Sequence, residues 1–135
     1  MRGSSEGGVG TWGKSRNNSP SWRSPTYEEQ VTGVRAQDAY YVGGKEFDGF
    51  KDGVLIEAKG EGLANLMNKP WGEHIIPDIQ QQAWEQVAAV RATGTNTPIH
   101  WHIAEQELYE RLMRLQDRGD FPSTIKLFLT PPNYY

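Results

Sequence analysis

Apolar and polar residues alternate along two short runs, Glu46 to Lys51 and Val54 to Gly60, and Asp52-Gly53 stands between them. Alternation places successive side chains on opposite faces of a strand, and an Asp-Gly pair supplies the two positive φ angles of a type I′ turn, so the stretch reads as a β-hairpin. A two-residue loop sets the register. Lys51 then faces Val54, Phe50 faces Leu55, Gly49 faces Ile56, Asp48 faces Glu57 and Glu46 faces Lys59. Phe47, Val54, Ile56 and Ala58 form an apolar side, while Glu46, Asp48, Glu57 and Lys59 gather on the other.

Elsewhere the period lengthens. Thr26-Tyr27-Glu28-Glu29 has capping-box spacing and opens a helix whose stripe is Tyr27, Val31 and Val34, ending near Gly33 and Arg35. Residues 38 to 42 read as a strand that Gly43-Gly44 turns into the hairpin. The stretch from Gly60 to Trp71, punctuated by Gly60, Gly62 and Pro70, reads as a loop with one helical turn at Leu63 to Asn68. From Asp78 to Ala92, with Pro77 in the first turn, Ile79, Ala83, Val87 and Val90 recur at helical spacing up to Gly94. Pro98 to Ile103 is a strand with Ile99, Trp101 and Ile103 on one face and His100 and His102 on the other. Glu105 to Arg118 is a helix with Leu108, Leu112 and Leu115 inward, stopped by Gly119. Thr124 to Thr130 is a last strand with Ile125, Leu127 and Leu129 inward. One helix, three antiparallel strands, then helix, strand, helix, strand make an α/β (α+β) chain with a mixed sheet flanked by helices.

A length of 135 residues suits one domain. Residues 1 to 25 are rich in Gly, Ser, Asn and Pro, a composition too poor in apolar surface to offset the entropy of ordering, and read as a flexible linker. Met1-Arg2-Gly3-Ser4 also has the form of an expression-vector leader. The folded domain is expected over residues 26 to 135, with Trp12 and Trp22 as packing aromatics in the tail. The absence of cysteine excludes disulfides, thiolate zinc sites and cysteine nucleophiles. No apolar run approaches a membrane span. The tail carries four basic residues against one acidic, so residues 26 to 135 hold a net charge of −6. That is the wrong sign for a protein that binds phosphates by lysine and arginine alone.

The charged face of the hairpin is where chemistry is expected. Directly opposite carboxylates destabilise a sheet, and Asp48 opposite Glu57 invites a hard divalent cation that both can reach. Lys59 lands on the same face, where an ammonium can orient water or meet charge developing on a phosphate. A solvated charged face with no function is the other reading of the same spacing.

The wording Phe47-Asp48-Gly49-Phe50, then Leu55-Ile56-Glu57-Ala58-Lys59-Gly60, a later glutamine-rich helix and Trp101-His102-Ile103 resembles the restriction-endonuclease-fold toxins, fifth class. The Asp48 and Glu57-Ala58-Lys59 portion is similar to the PD-(D/E)-x-K signature, with Phe47 where the signature has proline. The resemblance spans about Tyr27 to Pro131. It implies a restriction-endonuclease-like core and a Mg²⁺-dependent nuclease, Mn²⁺ being a possible substitute. Such a domain is a toxin of competitor bacteria, delivered by a secretion system as part of a larger effector. It would act in the target cell's cytoplasm and be silenced in the producer by a cognate immunity protein. DNA is the substrate implied. RNA, and a catalytically silent interaction domain on the same fold, are the alternatives.

By the same resemblance Asp48, Glu57 and the Ala58 carbonyl hold the metal, Lys59 serves the attacking water, and Gln86 faces the site. Glu28, Gln82 and His102 are further candidates. Against these stand plainer readings: Glu28 as a solvent-exposed first-turn glutamate favoured by the helix dipole, Gln82 and Gln86 as a hydrophilic helix face, and His102 as a half-exposed structural residue. Lys69 and Trp71 are candidates for substrate contact. For an immunity protein, net acidity disfavours an acidic DNA mimic and points to an apolar interface over Leu63, Leu66, Met67 and Trp71. Trp71 is its candidate anchor, with a buried core tryptophan as the alternative.

Overall fold

A computed structural model describes residues 8–16 and 24–134 and places them in two sheets and four α-helices. Strands β1 (Thr11–Lys14), β2 (Asp38–Val42) and β3 (Lys45–Phe47) form an antiparallel sheet in that order. Strands β4 (Gly49–Lys51), β5 (Val54–Lys59), β6 (Ile99–Ile103) and β7 (Ile125–Leu129) form a mixed one, antiparallel between β4 and β5 and parallel beyond. The helices are α1 (Pro25–Thr32), α2 (Leu63–Met67), α3 (Ile75–Ala92) and α4 (Gln106–Asp117), with a 3₁₀ turn at Pro70–Gly72.

The Asp52-Gly53 turn has φ of 54° and 79°, and the register it sets pairs Lys51 with Val54, Phe50 with Leu55 and Gly49 with Ile56 as expected. Beyond Gly49 the expectation fails. Gly43 and Gly44, with φ of 55° and 81°, fold β3 back onto β2, so its ladder bonds are made there and the run from Glu46 to Lys51 breaks at Asp48. Asp48 and Glu57 are therefore not ladder partners. Glu46 lies opposite Tyr41 instead of Lys59, and its carboxylate accepts from the Ser15 hydroxyl (2.7 Å), the Arg16 N–H (2.9 Å) and the Tyr41 hydroxyl (3.1 Å).

Strand β1 falls within the stretch read as linker. It adds an edge to β2, and the Trp12 ring meets Tyr40 edge-on at 5.2 Å. Residues 1–7 and 17–23, with the leader-like start and Trp22, lie outside the described residues.

Helix α1 starts earlier than the Thr26 capping box predicts. Ser24 is the cap, accepting the Tyr27 N–H at 3.4 Å, and Pro25 takes the first helical position, where its missing N–H is not needed. Glu29 accepts from the Ala36 N–H (2.9 Å). The buried face is Tyr27, Glu28 and Thr32, and the Tyr27 hydroxyl donates to the Thr130 carbonyl at 2.6 Å. Close packing fixes the helix on the sheet: a Cβ at Gly49 would stand 2.9 Å from the Thr32 Cβ, and one at Gly60 would stand 2.5 Å from the Ser24 Cβ.

On the other face of the mixed sheet, Ile79, Ala83, Val87 and Val90 of α3 and Leu108, Leu112 and Leu115 of α4 are buried with Ile99, Trp101 and Ile103, as their spacing requires. Helix α3 begins at Ile75, before the expected Asp78. In β7 Ile125 and Leu127 are buried, while Leu129, expected inward, is exposed.

Candidate active site

Glu57 and Lys59 are two apart on β5 and so share a face, the one covered by α3; Ala58 between them points the other way, onto Tyr27 of α1. Helix α3 lays Gln82 and Gln86, one turn apart, over Glu57. Glu57 Oε1 accepts from Gln86 Nε2 (3.0 Å), and its Oε2 accepts from Gln82 Nε2 (2.9 Å) and Lys59 Nζ (2.8 Å). Lys59 Nζ also donates to Gln82 Oε1 at 2.5 Å. Glu57, Lys59 and Gln86 are buried. A buried ion pair is tolerable only when further hydrogen bonds compensate lost hydration, and the two glutamines provide them.

Sequence reasoning placed Trp101 in the core and missed its second role. Trp101 is the β6 register partner of Glu57, and its indole N–H donates to Gln86 Oε1 at 2.9 Å. Because an indole nitrogen only donates, it fixes the Gln86 amide with its oxygen toward Trp101 and its NH₂ toward Glu57. The Lys59 ammonium stands 4.9 Å from the centre of the same ring. A tryptophan on the inward face of the strand after a glutamine-rich helix was the available signal.

Asp48 enters from the strand break. Its Oδ2 accepts the Ala58 N–H at 2.8 Å, a position a neighbouring strand would otherwise fill. In a strand a residue's N–H and C=O point to the same edge, so the Ala58 carbonyl also faces the edge where Asp48 stands and β4 has already ended. Glu28, buried on α1, lines the same cleft, which has a volume of about 320 Å³ and includes Asp48, Glu57, Lys59 and Gln82 in its walls. The first-turn reading of Glu28 as an exposed residue does not hold. Burial, then the charge of Glu57, then that of Glu28 push the Asp48 carboxyl well above the usual carboxylate range; Lys59 and the Ala58 N–H act the opposite way.

Among the described residues no cluster of three acidic or histidine side chains forms a ready-made metal cage. Magnesium does not require one, since it commonly takes one or two carboxylates and fills its shell with water and substrate oxygens. Asp48, Glu57 and the Ala58 carbonyl are hard oxygen donors of that kind. Glu57 accepts three hydrogen bonds of about four that a carboxylate can take, which leaves a position open. The residues present fit the ion.

His102 is not brought to the cleft. It lies on the Ala58 face of the sheet, where its Nδ1 is 2.9 Å from the Thr130 hydroxyl and its ring stacks on Phe128 at 5.1 Å. Burial, then the nearby His100, hold its pKa below the usual histidine value. Lys69 and Trp71 do not line the cleft either. Trp71 is 70% exposed, so the core alternative is excluded. Residues 24–106, from the cap of α1 to the first residue of α4, match the family described as restriction endonuclease fold toxin 5. No curated protein matches.

Proposed function

The chain belongs to the restriction endonuclease fold toxin 5 family, and from that premise we propose that it is a Mg²⁺-dependent endonuclease that hydrolyses phosphodiester bonds in the DNA of competitor bacteria. The observation that carries this reading is the buried Glu57, held by Lys59, Gln82 and Gln86 beside the carboxylate of Asp48. Asp48, Glu57 and the Ala58 carbonyl would hold the metal, with Mn²⁺ as a substitute. When bound, the ion supplies Lewis-acid activation of the scissile phosphate. The rest falls to the chain's own groups. Lys59 places its Nζ next to Glu57, where it orients the attacking water and meets the charge that gathers on the phosphate. Gln82 bonds both Lys59 and Glu57 and fixes their separation. Gln86, set by Trp101, positions Glu57, and Glu28 adds its carboxylate to the wall from α1.

A cognate immunity protein and delivery by a secretion system within a larger effector complete the proposal, with action in the target cell's cytoplasm. No helix among the described residues is long and apolar enough to cross a membrane. The exposed Trp71 supports the 60–72 segment as the immunity surface, from which Leu63, buried in the core, and Met67, packed against that core, are withdrawn.

Purified protein should nick plasmid DNA with Mg²⁺ or Mn²⁺ and not with chelator, and Glu57→Gln should abolish this. Activity on RNA alone would move the substrate. An unchanged rate in Glu57→Gln would sink the assignment of Glu57, and a wild type that cuts neither DNA nor RNA would favour the silent interaction domain, for which net acidity is natural.

A further inference from the structure

The cleft continues past Asp48. A second depression of about 330 Å³, lined by Arg16, Gly44 and Glu46, shares Lys45, Asp48, Glu57 and Gln82 with the first. Lys45, at the start of β3, thus borders both lobes. Its Nζ reaches Glu85 of α3 at 2.6 Å, and Gln81 Nε2 holds the second oxygen of Glu85 at 3.0 Å. The pair joins β3 to α3 beside the catalytic floor. Both side chains are partly exposed, 27% and 48%, and an ion pair in such a setting is weak enough to exchange partners.

Charge makes Lys45 distinctive. The domain is net acidic, and Lys59 is buried and bonded to Glu57 and Gln82, so it is not at the mouth. Among the described residues, Lys45 and Arg16 are the other cations lining the two lobes. Arg16 is held by the Gly44 carbonyl (2.5 Å) and lies 4.7 Å from the centre of the Tyr41 ring. A carboxylate and a phosphodiester present the same charged oxygens to an ammonium.

We propose that Lys45 binds a backbone phosphate of the nucleic-acid strand beside the scissile bond, and that Glu85 occupies Lys45 in the free protein as a latch that this phosphate displaces. This rests on the nuclease reading. The exchange is one of ionic partners and breaks no covalent bond. It makes Glu85 a brake on substrate affinity.

The test is binding of a fluorescein-labelled DNA duplex by the full chain in EDTA, across a salt series, for wild type, Lys45→Gln, Lys45→Arg, Glu85→Gln and the double Gln variant. Lys45→Gln should weaken binding severalfold and reduce the magnitude of the slope of log K against log salt by about 0.9, the value of one phosphate contact. Lys45→Arg should keep the slope. Glu85→Gln should tighten binding severalfold, and only where Lys45 is present. An unchanged slope in Lys45→Gln, or weaker binding in Glu85→Gln, overturns the latch. Wild-type cleavage with Mg²⁺ is measured alongside: if it is present while the variants bind like wild type, the latch alone fails. If wild type neither binds nor cuts nucleic acid, the nuclease reading falls and takes the latch with it.

Discussion

Replacing Gln86 with leucine isolates what the buried amide does. Leucine has similar volume and keeps the helix, but it removes the Nε2 bond to Glu57 and the acceptor for the Trp101 indole. A hydrogen bond to a charged group contributes about 1.5–3 kcal/mol, and a buried N–H left unpaired costs about 1–3 kcal/mol. Burying a leucine side chain returns about 1.5–3 kcal/mol. The net loss is about 2 kcal/mol, a fall in Tm of about 6–8 °C for a chain of this size. The rate separates support from scaffolding. Loss of a partner that orients a metal-ligating carboxylate lowers activity about 10–100-fold, so plasmid nicking measured well below Tm should fall by that factor. Trp101→Phe should show a weaker version, since Gln86 stays but its amide is free to turn. If Gln86→Leu melts lower and cuts at the wild-type rate, Gln86 is packing and its positioning role is refuted.

Lys59→Met removes an ammonium that bonds Glu57 and Gln82, and should reduce turnover about 10²–10³-fold, as for other donors aimed at transition-state charge; full activity with lowered stability would make it a structural partner only. The Asp48 carboxyl is raised by burial and its acidic neighbours, so the folded protein holds that proton more tightly than the unfolded chain, and stability is lost as pH rises from the unfolded value through the folded one. Metal-free Asp48→Asn should therefore melt above wild type at pH 7, with the gap closing toward pH 4, and Mg²⁺ should raise the Tm of wild type alone; calorimetry at several pH values checks both. Gly49→Ala forces a Cβ against Thr32 and should cost about 1–3 kcal/mol by denaturant melting. Trp71→Ala should leave stability within about 0.5 kcal/mol, as expected for a surface site, while weakening binding of the product of a neighbouring open reading frame; equal affinity would remove Trp71 as anchor.

Local chemistry made much of this legible. Asp52-Gly53 admits one turn, and from it the register of β4 on β5 followed; the leucine and isoleucine spacings of α3, α4 and β6 needed only a sheet to cover. The break at Asp48 was not legible in the alternation itself. It arises because β2, joined through Gly43-Gly44, takes β3's backbone bonds while the Asp48 carboxylate satisfies Ala58, and the competition between two adjacent hairpins for one run is not written in that run's own alternation. Strand β1 hid for a related reason: Thr11 to Lys14 sit in a Gly- and Ser-rich tail, and the edge of β2 with Tyr40 is what orders them. The cap of α1 was misread because Ser24-Pro25, a cap followed by a residue without an N–H, outcompeted the Thr26 box. Glu57, Lys59 and Gln86 were found from pattern and family wording, whereas the tie from Trp101 to Gln86 requires knowing how α3 lies across β6.

The parallel pairing of β5 with β6 bears on when the candidate site takes shape. Glu57 pairs in register with Trp101, far along the chain, with all of α2 and α3 between. Such non-local pairings form late, after the loop-closure entropy of the intervening chain has been met. A ribosome-bound chain that ends before β6 has no Trp101 to orient Gln86, and Glu57 has no settled geometry. The candidate site is thus completed only when β6 has paired with β5, so a chain that ends before Trp101 lacks the tie that orients Gln86 on Glu57.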